Sequence, residues 1–130
     1  MALDPHDLPQ EAVDFLAERH LGSLTTLRAD GSPHVVAIGF AYSRAEQVVR
    51  VITSASSRKA VNAGCPGARA AVAQVDGARW LSLEGPVTVS SAPDRVAAAE
   101  AAYAGRYGTP GPNPERVALE ISVERILGRG

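Results

Sequence analysis

The chain has 130 residues, 45% of them hydrophobic and 21% charged, and its formal net charge is −1. This size predicts a single globular domain over residues 1–130, and the near-neutral charge argues against a general nucleic-acid-binding protein. No apolar run is long enough to span a membrane, no secretory signal is visible, and the single cysteine, Cys65, cannot form an intrachain disulfide. We therefore expect a cytoplasmic protein without membrane or nucleic-acid partners.

Three helices and six strands are predicted along the chain. A first helix begins near Asp7 and ends near Gly22, because Leu8, Ala12 and Phe15 recur at helical spacing. The predicted strands cover residues 21–27, 34–42, 47–53, 68–75, 78–90 and 116–127, with a bend expected at 85–86. A short helix covers 57–63, a second covers 91–106, and the Pro- and Gly-rich stretch 108–114 is expected to be irregular.

Six strands separated by turn signals predict a mainly β, antiparallel body. Closure into a small barrel is the most economical arrangement of six such strands, because it removes exposed sheet edges. The second strand, residues 34–42, has almost no polar alternation, so both its faces require burial. We therefore expect a homodimer, since two-fold dimers are the commonest assembly.

The corner between the third strand and the short helix is the most informative segment. Ser57 precedes Arg58 and Lys59, and Lys59 is the only lysine among 13 lysine and arginine residues. Hydroxyls, two cations and the free amides of a helix start suit a phosphate group. A capped surface helix with two solvated cations explains the local pattern equally well. No cysteine or histidine pair has metal-ligand spacing, and no general acid stands out.

Four segments resemble, in order and spacing, the pyridoxamine 5'-phosphate oxidase-like split β-barrel superfamily, in its branch that uses the deazaflavin coenzyme F420. The segments are residues 20–40 (HLGSLTTLRADGSPHVVAIGF), 49–63 (VRVITSASSRKAVNA), 74–85 (QVDGARWLSLEG) and 107–128 (YGTPGPNPERVALEISVERILG). The resemblance implies a six-stranded antiparallel split β-barrel with short flanking helices. It also implies that a flavin or deazaflavin binds at a homodimer interface.

The resemblance further implies a set of cofactor contacts. Arg58 and Lys59 would bind the cofactor phosphate, and Asn62 would face the same corner. On the residues alone, Trp80 is typical of a core anchor and Gln74 of a solvated strand position. The other implied contacts are the phosphate-corner residues Thr53, Ser54 and Ser57, the ring slot Val36, Ala37, Ile38, Gly39 and Phe40, the ring-facing Gln74, and the hairpin Ala78, Arg79 and Trp80, which reaches the cofactor across the dimer interface.

The activity implied by the resemblance is that of an F420-dependent oxidoreductase. Reduced F420 would donate hydride to a conjugated acceptor, with biliverdin giving bilirubin as the expected reaction. Arg79, Arg106, Arg116 and Arg125 are candidate partners for the substrate propionates. Two alternatives stay open: an FMN-dependent oxidase or reductase that uses the same phosphate corner, and a non-catalytic protein that binds F420 or a tetrapyrrole.

Overall fold

The computed structural model describes residues 2–129, which form three helices and nine strands. The helices are α1 (Gln10–Ala17), α2 (Arg58–Ala63) and α3 (Pro93–Tyr107). The strands are β1 (Ala2–Leu3), β2 (Gly22–Leu27), β3 (Pro33–Ile38), β4 (Ala41–Ser43), β5 (Val48–Ser54), β6 (Arg69–Asp76), β7 (Arg79–Ser90), β8 (Arg116–Ser122) and β9 (Arg125–Arg129). None of the helices within this range is long and apolar enough to cross a membrane.

The strands form one antiparallel hydrogen-bonded path in the order β3-β2-β6-β7-β8-β5-β4, and β9 pairs with both β7 and β1. The prediction of a mainly β, antiparallel fold with few helices is confirmed. The end strands β3 and β4 do not pair with each other within residues 2–129, so the hydrogen-bonded sheet is open.

The predicted count of six strands was wrong, because two predicted strands are each divided and a further strand, β1, precedes α1. The first division falls at Gly39 and Phe40, where the Phe40 N–H and carbonyl bond to side chains of α3 instead of a neighbouring strand. The second follows Ser122, where the Val123 N–H donates to Gln47 and the chain turns into β9. Long-range backbone contacts of this kind leave no local pattern in a sequence.

The long strand β7 changes partners at the predicted bend. Residues 79–86 pair with β6 and residues 80–84 also pair with β9, whereas residues 87–90 pair with β8. A Cβ on Gly85 would lie 1.8 Å from the Ser122 carbonyl oxygen, so only glycine permits this close approach. The bend therefore joins two halves of the sheet. One half contains β6 and β9, and the other contains β8 and β5.

The core consists mainly of strand residues from both halves of the sheet, to which α1 and α2 add buried side chains. Helix α1 buries Ala12, Phe15 and Leu16, as its predicted apolar face requires, and Phe15 is fully buried. Phe40 and Leu24 are also fully inaccessible. The first helix begins after Pro9 without a side-chain cap, so the expected start near Asp7 was early by three residues, since α1 begins at Gln10.

Candidate functional site

The end of β5 and the start of α2 form a tight corner held by hydroxyl and backbone hydrogen bonds. The Ser57 hydroxyl caps α2 by accepting from the Ala60 N–H at 3.3 Å, and it also accepts from the Thr53 hydroxyl at 3.0 Å. The Ser57 N–H donates to the Ser54 carbonyl at 3.0 Å. This network fixes the turn from which Lys59 projects.

The Pro- and Gly-rich segment 108–115 is irregular, as predicted, and is attached to the same corner. The Asn113 side-chain amide donates to the Ser54 hydroxyl at 2.9 Å, and its carbonyl oxygen accepts from the Glu115 N–H at 2.9 Å. The Ala55 N–H donates to the Glu115 carbonyl at 2.9 Å. The segment therefore forms a wall beside the end of β5.

A cleft of about 420 Å³ lies among β3, β5, α3 and this segment. Its lining combines apolar surface with hydroxyls, one amide and two cations, which suits a flat apolar ring that carries an anionic group. The lining residues are Ile38, Gly39, Ile52, Thr53, Ser54, Lys59, Tyr103, Pro110, Gly111, Asn113 and Arg116.

The two cations of the cleft differ in how they are compensated. Arg116 donates to the Glu100 carboxylate at 2.6 Å and to the Gly111 carbonyl at 2.6 Å. Its charge is therefore neutralised, and both terminal nitrogens of its guanidinium are already hydrogen-bonded. Lys59 is half-buried and forms no ion pair with any residue of the range 2–129. Arg58 is exposed and does not line the cleft. The uncompensated charge in the described part of this lining is therefore that of Lys59.

The sequence profile of the family described as "Pyridoxamine 5'-phosphate oxidase" matches residues 8–130. The chain belongs to the pyridoxamine 5'-phosphate oxidase family. A similar protein is the F420H(2)-dependent biliverdin reductase of Mycobacterium tuberculosis (strain CDC 1551 / Oshkosh). It is 57% identical over 121 residues, which cover 93% of this chain and 88% of the relative.

Two solved structures support the same family assignment for the fold. An "F420 Reductase" superposes with a TM-score of 0.74 at 25% identity, covering 92% of this chain and 98% of the other. A conserved hypothetical protein of Mycobacterium tuberculosis superposes with a TM-score of 0.79 at 25% identity, covering 95% and 84%. The resemblance drawn from the sequence is thereby confirmed for the pyridoxamine 5'-phosphate oxidase family.

In this family member, the predicted ring slot is only partly brought to the cleft. Ile38 and Gly39 line it, whereas Val36 packs against the core and Phe40 is fully buried. Ala37 is exposed and points to the opposite face of β3. Alternation along a strand sends successive side chains to opposite faces, so five consecutive residues could not all face one slot.

Asn62 and Gln74 occupy structural positions outside the cleft lining. The Asn62 side-chain amide is buried and donates to the Thr26 hydroxyl at 3.0 Å. The Gln74 amide is fully buried, donates to the Phe15 carbonyl at 2.7 Å and accepts from Arg106. Both side chains satisfy polar groups of the core, and the structure does not place either beside the cleft of its own subunit.

The predicted hairpin contacts lie at the turn between β6 and β7, away from the cleft of the same chain. Ala78 is exposed in the turn, and Trp80 is 37% exposed, which rules out a core anchor. Arg79 donates to Glu18 at 2.7 Å and also bonds Asp76, and its guanidinium stacks on the Phe15 ring, 4.4 Å from its centroid. The hairpin is thus tied to the end of α1.

The charges around this hairpin perturb one carboxyl group strongly. Hydrogen bonds from Arg79 and then from His20 hold the pKa of Glu18 at about 2, below its ordinary value of 4.5. The same pairing with Glu18, followed by that with Asp76, raises the pKa of the Arg79 guanidinium. Glu18 is therefore ionised throughout the neutral range and remains paired in moderate acid.

Three of the four candidate substrate arginines, Arg79, Arg106 and Arg125, do not line the cleft. Arg106 donates to the Glu18 carbonyl at 2.8 Å and the Phe40 carbonyl at 2.6 Å, besides its bond to Gln74. Burial lowers the pKa of this guanidinium. All three of its nitrogens serve as donors within the fold, so the substrate role of Arg106 stays a prediction that these contacts do not support. Arg125 is exposed and pairs with Glu84 at 3.0 Å, outside the cleft lining.

Five lining residues were not identified from the sequence: Ile52, Tyr103, Pro110, Gly111 and Asn113. Ile52 directly precedes Thr53, which was predicted to contact the cofactor, so its position in the strand could have indicated it. The density of proline and glycine marked 108–114 as a loop, but not the attachment of Asn113 to Ser54. Tyr103 lay in a helix whose docking partner the sequence did not specify.

A second cleft of about 420 Å³ lies at the other end of α2. It contains the exposed free thiol of Cys65. Among the residues predicted to contact the cofactor, Asn62 lines this second cleft. Since six predicted residues line the first cleft, we take the first as the candidate site of this pyridoxamine 5'-phosphate oxidase family member. Those six residues are Ile38, Gly39, Thr53, Ser54, Lys59 and Arg116.

Proposed function

We propose that this chain is an F420H2-dependent reductase that transfers hydride from reduced F420 to biliverdin and so forms bilirubin. The observation that carries the proposal is the 57% identity, over 93% of the chain, to a protein named F420H(2)-dependent biliverdin reductase. The similarity to an F420 reductase structure at 25% identity supports the same coenzyme.

The residues of the first cleft fit this coenzyme. F420 combines an anionic phosphodiester and glutamate tail with a flat deazaflavin ring. The unpaired Lys59 and the Ser54 hydroxyl, which accepts from Asn113 and keeps its own proton free, suit the anionic part, because charge-assisted hydrogen bonds are the strong ones. The apolar side chains of Ile38 and Ile52 suit the ring. Arg58, exposed beside the same corner, would contact the tail where it leaves the cleft.

The chain itself would bind, orient and exclude water. When bound, the reduced coenzyme supplies the hydride, and the protein supplies position and electrostatics. Among the described lining residues there is no histidine and no carboxylate, so we assign none of them the role of a general acid. The proton that accompanies the hydride would come from water at the mouth of the cleft.

A homodimer is part of the proposal, and it rests on an exposed apolar face of the sheet. Val35 is 59% exposed and Val75 is 65% exposed. The strand register places their side chains on one surface with Trp80, which pairs with Val75. We define this surface as the outer face; its apolar members are Val35, Ala37, Ala71, Ala73, Val75 and Trp80, and the register also places Ser23, Thr25, Ser82 and Glu84 on it.

A second copy of the chain would cover the outer face, because an apolar patch of this kind is unfavourable in water. It would also explain the hairpin residues that the resemblance assigns to the cofactor. Ala78, Arg79 and Trp80 lie at the rim of the outer face, so they would reach the cleft of the partner instead of their own. We further propose a cytoplasmic location, which suits the free thiol of Cys65.

The reaction is tested by anaerobic mixing of the purified protein with reduced F420 and biliverdin. We expect the biliverdin absorption band to disappear at a rate proportional to protein concentration, with bilirubin as the product. Matched reactions without protein and with oxidised F420 measure the background. Tight F420 binding without loss of biliverdin above that background would support a non-catalytic binding protein and contradict the reductase.

A further inference from the structure

We propose that Tyr103 is a coenzyme-contacting residue whose hydroxyl hydrogen-bonds to F420 bound in the cleft. The inference rests on the proposed function, and it adds a contact that neither the sequence pattern nor the family resemblance assigned. Tyr103 lies in α3, and its side chain is part of the lining that includes Lys59 and Ile38. It thus faces the same space as the cation of the strand-to-helix corner.

Packing on two sides fixes the position of the Tyr103 ring. A Cβ on Gly39 would lie 3.1 Å from Tyr103 Cε2, so the ring edge rests directly on the backbone of the loop after β3. On its other side the ring packs against Tyr107, with centroids 4.9 Å apart and an interplanar angle of 40°. A ring held in this way presents its hydroxyl in one direction without a large entropic cost on binding.

The two neighbouring tyrosines differ in what their hydroxyls do. The Tyr107 hydroxyl donates to the His20 carbonyl and accepts from the Phe40 N–H at 3.2 Å, so its hydrogen bonds are made within the protein. The Tyr103 hydroxyl has no hydrogen-bond partner among residues 2–129, and it is not one of their buried unsatisfied atoms. It is therefore accessible and available to a ligand, on a residue that lines the cleft.

The chemistry of the cleft favours the coenzyme as the partner of this hydroxyl. A phenol both donates and accepts, and the deazaflavin ring carries amide-like carbonyl and N–H groups along one edge. The apolar side chains of Ile38 and Ile52 offer no partner for such an edge. Tyr103 supplies a neutral polar group in the same lining.

The test compares Tyr103→Phe with Tyr107→Phe by calorimetric titration of the purified proteins with oxidised F420, together with their melting temperatures. Removal of one neutral hydrogen bond corresponds to roughly a two- to tenfold loss of affinity. We expect that loss for Tyr103→Phe with an unchanged melting temperature. For Tyr107→Phe we expect a lower melting temperature and F420 affinity close to that of the wild type.

Three results separate the inference from the proposal beneath it. Wild-type affinity for F420 in Tyr103→Phe overturns the role of Tyr103 and leaves the coenzyme assignment standing. Unchanged F420 affinity with a raised KM for biliverdin also overturns it, because the hydroxyl would then face the substrate. Failure of the wild-type protein to bind F420 contradicts the proposed function itself.

Discussion

At the scale of single residues, the difference between Lys59 and its neighbour Arg58 is the most consequential detail of the site. Lys59 lines the cleft and is unpaired among residues 2–129, whereas Arg58 is exposed. We expect Lys59→Ala to weaken F420 binding by about 1.5–3 kcal/mol, the range for a charge-assisted hydrogen bond. Arg58→Ala, which removes the same charge one position away, should have a smaller effect. Calorimetric titration of both variants measures the difference.

An equal loss in both variants would mean that the coenzyme responds to net charge at the corner and not to a defined contact. The sequence predicted the short helix and the location of the corner, because those depend on local chemistry, whereas the role of Ser57 as the cap is seen only in the structure. It could not rank the two cations. Adjacent helix residues point about 100° apart, and which of them faces the cleft depends on where α3 and segment 108–115 pack.

At the scale of secondary-structure elements, Arg106 connects α3 to the end of α1, to the loop after β3 and to β6. It bonds the carbonyls of Glu18 and Phe40 and the buried Gln74 amide. We expect Arg106→Ala to lower the free energy of unfolding by about 2–4 kcal/mol, because it leaves buried acceptors without a donor. Arg125→Ala, which removes an exposed ion pair with Glu84, should cost less than about 1 kcal/mol. Urea unfolding of both variants provides the comparison.

If Arg106→Ala leaves stability unchanged and raises the KM for biliverdin, the result would contradict the structural role and support substrate binding by Arg106. The sequence could not distinguish these roles, because the acceptors of Arg106 lie 32 to 88 residues away along the chain. The same limit explains the strand count. The break at Phe40 depends on Tyr107 and Arg106, which no local window includes.

The ion pairs between the β6–β7 hairpin and the end of α1 predict a dependence of stability on pH. The folded-state pKa of Glu18 is about 2, below its ordinary 4.5, so ionised Glu18 stabilises the folded protein above pH 4.5. This contribution is lost as the pH falls from 4.5 towards 2. We therefore expect the melting temperature of the wild type to exceed that of Glu18→Gln at neutral pH, and the gap to close over this window.

A gap that stays constant through the acid range would show that Glu18 contributes by packing or by neutral hydrogen bonds. Because Glu18 is exposed, solvent screening keeps the expected gap small, and high salt should reduce it further. Asp14→Asn, an acidic substitution on the same helix whose side chain accepts from Gln10, serves as the control.

At the scale of the whole molecule, the outer face predicts the assembly. We expect the wild-type protein to have the mass of two chains in light scattering after gel filtration. Val35→Asp should shift it to the mass of one chain, since an unpaired buried charge is strongly unfavourable at an apolar interface. Val61→Asp changes a residue that is 49% exposed on α2, outside the outer face, and should leave the mass unchanged. A wild-type monomer would contradict the dimer.

The antiparallel β fold and the helices could be predicted from periodicity, turn residues and the resemblance to a known family. The cleft could be predicted only in part, through the six predicted residues that line it: Ile38, Gly39, Thr53, Ser54, Lys59 and Arg116. Its opposite wall comes from Tyr103 and the segment around Asn113, and their approach to β5 is decided by tertiary packing. The proposed reach of the β6–β7 hairpin into a partner subunit likewise cannot be tested by contacts within one chain.

The central claim is that the first cleft holds F420, and a competitive titration tests it most directly. Purified apo protein is titrated with F420 and, in parallel, with FMN, each followed by calorimetry under the same conditions. We predict saturable binding of F420 at least tenfold tighter than that of FMN, with the F420 affinity reduced by Lys59→Ala. Tighter binding of FMN, or F420 binding that is indifferent to Lys59, would contradict the account.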